Sequence, residues 1–175
     1  MDLLEALRGR RSVRKYTREK ISDEKLKKIL QAGLISASSR SVRPWEFIVV
    51  RDKDALKFLS ECRDGGHAKM LGEADSAIIV IADPEKTDTW IEHCSIAMSN
   101  MHLMADTLGV GSCWIQGRLR RIGDLGTEEY LRRKLRFPED FKLAAILSLG
   151  RPAVSLKPHS LEELPWEKVH RETFY

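Results

Sequence analysis

Arg10, Arg11 and Arg14 fall within five residues of one another, with the Ser12 hydroxyl between them. A guanidinium is a planar fork of donors that matches phosphate and carboxylate oxygens, and it stays charged at any working pH. The chemistry such a cluster supports is anion binding. Adjacent arginines also decorate solvated surfaces, so the segment alone leaves both readings open.

Two further stretches carry groups that a polar, planar ligand could use. Residues 36–43 read Ser-Ala-Ser-Ser-Arg-Ser-Val-Arg, a loop of small hydroxyls with two guanidiniums, running into Pro44-Trp45. Residues 109–117 read Gly-Val-Gly-Ser-Cys-Trp-Ile-Gln-Gly and offer backbone N–H groups beside an aromatic. A phosphate-bearing ring compound would take charged donors at one end, and apolar walls with backbone donors at the other. Gly109-Val110-Gly111 is no dinucleotide fingerprint, because Trp114 stands at the third glycine position and a helix precedes it. Walker, GxSxG and HExxH patterns are missing from the sequence. The five histidines are scattered, and Cys62, Cys94 and Cys113 have neither CxxC spacing nor metal-ligand partners, His93-Cys94 included. With no side chain set up as catalyst and no metal set, the chemistry is expected to reside in a cofactor.

The elements that must position these stretches follow from periodicity. Leu3, Leu4 and Leu7 form a short helical stripe that ends at the arginines. Ser22 is an N-cap with Asp23 and Glu24 in the first turn, followed by Leu26, Ile29, Leu30, Gly33 and Leu34 at helical spacing. Trp45–Val50 reads as a strand, and 53–62 as an amphipathic helix with Ala55, Phe58 and Leu59 on one side. Ser76–Ala82 and 143–149 are unbroken apolar runs, the pattern of strands buried on both faces. Between them lie a long helix over 89–108, apolar around much of its girth, a short strand at 112–115 and a charged helix over 127–135. The long helix is either central in its domain or packed on another subunit. From Arg151 onward a tail with Trp166, Phe174 and Tyr175 is expected to dock on something rather than hang free. The prediction is one α+β domain over residues 1–175, with about four or five strands and five helices.

Composition bounds the function. Hydrophobic residues make up 42% and charged residues 32%, and the net charge is +4. That describes a globular chain inclined toward anions, but not a nucleic-acid module, since the arginines are not interleaved with aromatics. The longest apolar run is too short to span a bilayer, and Asp2 and Glu5 argue against a signal peptide. An odd, unpatterned cysteine count suggests the reducing cytoplasm.

Four stretches together resemble the FMN-dependent nitroreductase family: residues 10–16, the loop 37–45, the passage 100–117, and Leu149-Gly150-Arg151-Pro152-Ala153. The resemblance runs in order over nearly the whole chain. It implies an α+β sandwich with a central mixed or antiparallel sheet flanked by helices, in an intertwined homodimer with FMN at the subunit interface. The resemblance also implies that the tail is an arm, about 151–175, on the partner subunit. It also implies that a hydride passes from NAD(P)H through flavin N5 to an electron-poor small molecule, a nitroaromatic or quinone. By the same resemblance Arg10, Arg11 and Ser12 meet the phosphate and ribityl side, and Arg14 the pyrimidine edge. Ser38, Ser39, Ser41 and Arg43 reach the flavin from the partner subunit. Trp114, Ile115, Gln116 and Gly117 line the ring, and Lys157 and His159 stand where basic phosphate ligands often occur. Ser41 and Arg43 replace an asparagine and a glutamine common in the family, Gln116 a small residue, and His159 an arginine. The alternative these departures support is a dimeric flavin- or anion-binding protein of the same fold without nicotinamide-driven turnover, or one that modifies the flavin.

Overall fold

The computed structural model describes residues 2–174. Its central sheet has four antiparallel strands in the order β1 (Trp45–Val50), β2 (Ser76–Ala82), β6 (Lys142–Gly150) and β3 (Gly111–Gln116). Every residue of β2 is buried, as is all of β6 after Lys142. These strands lack the alternation of a half-exposed sheet because a helical layer covers each face.

On one face, Ile78, Val80, Leu147 and Leu149 pack with Ile29 of α2 (Asp23–Leu34) and with Ala97, Met98 and Met101 of α4 (Trp90–Thr107). On the other, Ile79, Ile81, Leu143 and Ile146 meet Leu56 and Leu59 of α3 (Lys53–Ser60) and Leu131 of α5 (Thr127–Leu135). Each fully buried aliphatic side chain contributes about 1.5–3 kcal/mol relative to exposure. α1 (Leu3–Gly9) leans on α4, and a two-residue ribbon of β4 (Arg121–Ile122) and β5 (Leu125–Gly126) leads into α5.

Local signals place the helix ends. Ser22 Oγ accepts from the Lys25 N–H at 3.3 Å and Asp52 Oδ1 from the Ala55 N–H at 2.8 Å, the expected first-turn caps. Past α4 the chain reverses at Gly109, whose φ of 68° suits a residue without Cβ. The last turns then deliver β3 to the sheet edge.

In three helices the buried residues differ from the full apolar stripe. Leu3, Leu4 and Leu7 are 67%, 50% and 48% exposed, and Ala6 is the residue α1 buries against α4. Leu34, at the end of its stripe, is exposed as well. In α3 the inward residues are Ala55, Leu56 and Leu59, while Phe58 stacks on Tyr130 with ring centroids 4.3 Å apart. A stripe fixes a helix's apolar side, but not whether a layer of the same chain covers it.

Gly150 closes β6 where a Cβ would lie 2.6 Å from the Tyr16 ring. That ring is buried and its hydroxyl is hydrogen-bonded, so it has little room to yield. Gly150→Ala is expected to lower stability by about 1–3 kcal/mol. Urea unfolding reads this as a reduced midpoint, and an unchanged midpoint would show that Tyr16 is free to shift.

Candidate functional site

The arginine segment leaves α1 and runs alongside β3. The Val13 N–H donates to the Ser112 carbonyl at 2.9 Å, and Ser12 and Ser112 form a parallel bridge. Farther on, the Tyr16 hydroxyl donates to the Val13 carbonyl at 2.7 Å and lies 2.7 Å from Ser148 Oγ, while the Thr17 N–H donates to the Arg151 carbonyl. The segment is thus pinned to both β3 and the end of β6, and its charged heads are carried on fixed backbone. Burial raises the Tyr16 hydroxyl well above its usual range. Burial also pushes the Cys113 thiol up, against the pull of Arg14 and Arg10.

Arg10 is held by a residue the sequence did not single out. Its Nη1 lies 3.0 Å from His102 Nε2, and His102 Nδ1 lies 2.5 Å from Ser112 Oγ. Arginine only donates, so Nε2 is the acceptor and Nδ1 carries the proton toward Ser112. Burial first, and the Arg10 charge second, push His102 down to about 4, which keeps the ring neutral in that role. Nothing in the pattern of α4 marks His102 apart from its neighbours; only the passage of the arginine segment past α4 gives it a partner.

The tail is tied to the end of α1 at Lys157 and His159. Arg11 Nη1 donates to the Lys157 carbonyl, Arg8 Nε donates to the His159 carbonyl at 3.0 Å, and the His159 N–H donates to the Arg8 carbonyl at 3.0 Å. The backbone at Lys157 and His159 is thereby tied to Arg11 and Arg8 at the end of α1, although some 146 residues separate Arg11 from Lys157 in sequence, and both residues line a hollow there with Arg8, Glu162 and Glu163. A groove lined by Gly9, Arg11, Asp106 and the chain from Arg151 to Leu156 adjoins them. Arg14 extends the cluster along β3, with Nη1 donating to the Ser12 carbonyl at 3.3 Å.

β3 is the outer strand of the sheet, and strand alternation turns the backbone groups of Ser112, Trp114 and Gln116 away from β6. Past the point where Val13 occupies the Ser112 carbonyl, this edge is free to meet a ligand. The side chains there are partly engaged with one another: Trp114 Nε1 donates to Gln116 Oε1 at 3.1 Å, and Gln116 Nε2 donates to the Arg118 carbonyl at 3.1 Å. Ile115 points into the opposite core with Ile146. A Cβ on Gly117 would lie 2.5 Å from Leu143, so its smallness serves packing. Neither Ile115 nor Gly117 presents a side chain to the outer edge, and the backbone of Ile115 is turned toward β6.

The serine loop lies elsewhere in the chain. Arg40, Ser41 and Arg43 have φ of 49°, 54° and 46°, left-handed conformations that strain residues bearing a Cβ. Ser38 Oγ accepts from the Arg43 N–H at 2.9 Å, and the Ser39 N–H donates to His93 Nε2 at 3.0 Å. His93 is buried, and its other nitrogen has no hydrogen-bond partner among the described residues. Ser39 is anchored on His93 and Arg10 on His102, nine positions along α4 and so roughly 14 Å apart along its axis. One chain therefore gathers Arg10, Arg11, Ser12 and Arg14 beside β3, ties the tail at Lys157 and His159 to Arg11 and Arg8, and holds Ser38, Ser39, Ser41 and Arg43 apart from them. No group of three or more His, Cys, Asp or Glu among the described residues could hold a metal.

Comparison with known proteins meets this geometry. The Nitroreductase family profile matches residues 7–64 and 56–151, so the pinned arginine segment, the serine loop and β3 all fall inside it. A protein of Archaeoglobus fulgidus named NADH dehydrogenase/NAD(P)H nitroreductase is 36% identical, with 98% of each chain covered. The structure of an FMN-dependent nitroreductase from Clostridium difficile R20291 superposes with a TM-score of 0.95 at 44% identity, covering 98% of this chain and 99% of that one. A nitroreductase from Desulfovibrio desulfuricans, solved in complex with FMN, superposes with a TM-score of 0.80 at 27% identity, covering 100% and 99%. The chain belongs to the nitroreductase family.

His102 also makes a testable contribution to stability. Unfolded, it takes up a proton near pH 6.5; folded, it stays neutral to about pH 4. The unfolded state is thus favoured increasingly as pH falls through that window, by about 3 kcal/mol in all. His102→Gln, which keeps a polar group but cannot titrate, is expected to flatten stability between pH 6.5 and 4 in urea titrations. An unchanged slope would contradict the assignment.

Proposed function

We propose that this protein is an FMN-dependent oxidoreductase that uses NAD(P)H to reduce an electron-poor small molecule such as a nitroaromatic or quinone. The observation that carries this reading is the run of Arg10, Arg11, Ser12 and Arg14 pinned beside the outer edge of β3, with the tail at Lys157 and His159 tied to its near end, within a family whose solved members include an FMN complex. The donor set fits the cofactor: several charge-assisted donors for a phosphate dianion, a hydroxyl at Ser12, and edge N–H groups for a planar ring. FMN bound there supplies the redox centre that accepts a hydride from the nicotinamide and passes the electrons on.

The chain's own residues bind, orient and polarise. Arg11, Lys157 and His159 hold the phosphate, and Arg10 is kept in register by neutral His102. Arg14 brings a positive charge toward the ring portion, where a nearby cation favours added negative charge. The backbone N–H groups of Trp114 and Gln116 face the ring edge. No side chain is required as base, and in the Ser112–His102 contact at the site the imidazole is the donor.

We further propose a homodimer in which Ser38, Ser39, Ser41 and Arg43 serve the partner's flavin and the arm from 151 onward docks on the partner. Supporting this, the serine loop is some distance from its own chain's arginine cluster. Apolar side chains also lie uncovered: Leu3, Leu4 and Leu7 on α1, Ile96 on α4, and Leu161, Leu164, Trp166 and Val169 on the arm. No helix among the described residues is long and apolar enough to cross a membrane. Three buried free thiols suit a cytoplasmic setting, and burial raises Cys62 and Cys94 to about 12.

The purified protein is expected to be yellow, and to bleach when NADH or NADPH is added without oxygen. A colourless protein that takes up no added FMN would refute the proposal. Colour without bleaching would point to the binding-only alternative. In the same assay Arg14→Ala should retain flavin at least tenfold less tightly, because one charge-assisted contact contributes about 1.5–3 kcal/mol. Sedimentation equilibrium should give twice the monomer mass; a monomer that still holds FMN would remove the assigned role of the serine loop.

A further inference from the structure

Past Gly117 the chain turns through Arg118, Leu119, Arg120 and Arg121, a basic loop to which the flavin reading gives no task. The loop is fixed at both ends: the Arg120 N–H donates to the Gly117 carbonyl at 3.2 Å, and the Thr127 N–H donates to the Arg120 carbonyl at 2.8 Å. Facing it, residues 63–67 curl back through Gly65 and Gly66, both with positive φ. Asp64 Oδ1 accepts from the Gly123 N–H at 3.0 Å, and Thr127 Oγ1 donates to the Cys62 carbonyl at 2.8 Å, so the two walls are tied together. Between them lies a cavity of about 430 Å³ lined by Arg63, Asp64, His67, Leu119, Arg120 and Arg121.

Its charge is uncompensated. Three guanidiniums face one carboxylate, and among the described residues neither these arginines nor Arg118 forms an ion pair. Arg120 Nη1 and Arg121 Nη2 each donate to a carbonyl of their own loop, at 3.1 and 3.0 Å, which steadies the groups without neutralising them. Leu119, at 77% exposure, adds an apolar surface at the rim. Guanidinium forks left without acids, in a concave site of small-molecule size, suit phosphate oxygens.

Position identifies which phosphates. Arg118 follows directly on the segment assigned to the ring, and Gln116 Nε2 is bonded to its carbonyl. Four residues separate Gln116 from Arg120, at most about 14 Å of chain. A nicotinamide held over that ring would carry its phosphates one nucleoside farther along. We propose that this pocket binds the phosphates of the nicotinamide dinucleotide donor. The inference rests on the flavin reading for the donor's orientation, though the pocket's phosphate affinity can be measured without it. Two phosphate groups could be the ligand: the pyrophosphate, common to NADH and NADPH, or the 2′-phosphate of NADPH alone.

The test uses the flavin-loaded protein and an R120A/R121A variant, two surface positions outside the flavin site. Flavin absorbance and reduction by dithionite should match the wild type. The KM for the nucleotide should rise at least tenfold, for both donors if the pyrophosphate is bound and for NADPH alone if the 2′-phosphate is. Direct titration with adenosine 2′,5′-bisphosphate should show the same weakening, and this readout needs no turnover. Equal binding of that probe and equal KM values in wild type and variant would overturn the inference, and would leave an acidic protein surface as the partner to seek. Failure of the flavin reading is separate: it shows in the wild type as absent colour or bleaching, whatever the probe does.

Discussion

β2 and β6 carry no polar face, and a sheet whose central strands are apolar on both sides must be covered twice. Folding therefore requires α2 and α4 on one side, α3 and α5 on the other, and a chain that crosses between layers. β1 and β3 become the edges, and each half of the core holds fully buried Ile and Leu side chains. The residues proposed to hold the flavin are a by-product of this arrangement: the arginine segment runs along the outer edge of β3, where sheet hydrogen bonding runs out.

Electrostatics at the β3 edge depends on one neutral imidazole. Had His102 kept its ordinary basicity, it would take up a proton below about pH 6.5, and there a second cation would face Arg10. Buried beside Arg10 and Ser112, it accepts on one nitrogen and donates on the other, so a guanidinium is oriented without spending any of its charge. The contrast with Arg51 is instructive. That residue meets Asp75 at 2.9 Å and Asp23 at 2.5 Å, and its charge is absorbed in holding the structure. Arginines that are positioned by carbonyls or by a neutral histidine remain available to an anion.

Much of the fold is legible in the chain because its signals are local. The unbroken run of Ser76–Ala82 announces a doubly buried strand, and Glu128 and Glu129 at one end of α5, with Arg132, Arg133 and Lys134 at the other, match the helix dipole. The arginine cluster and the tail cations are legible as anion ligands by residue type. What stays hidden is long-range. No local pattern says that Arg11 would bind the backbone at Lys157, that His93 would anchor the Ser39 amide, or that His102 would face Arg10. The exposure of Leu3, Leu4 and Leu7 is hidden for the same reason, since their stripe gives an apolar side and no indication of what covers it. At Gly117 and Ile115 residue type alone does not separate a ligand-lining position from one that packing uses.

The serine loop holds Arg40, Ser41 and Arg43 in left-handed wells that are narrow for any residue with a side chain. Narrow wells admit few neighbouring conformations, so the loop has little freedom left to lose. Whatever the loop meets will find its backbone already arranged, and that part of the ordering entropy is met during folding rather than at each encounter. Strain in the backbone is thereby converted into speed and selectivity of association: such a loop accepts a ligand of matching shape at once, and has little means of adapting to one of another shape.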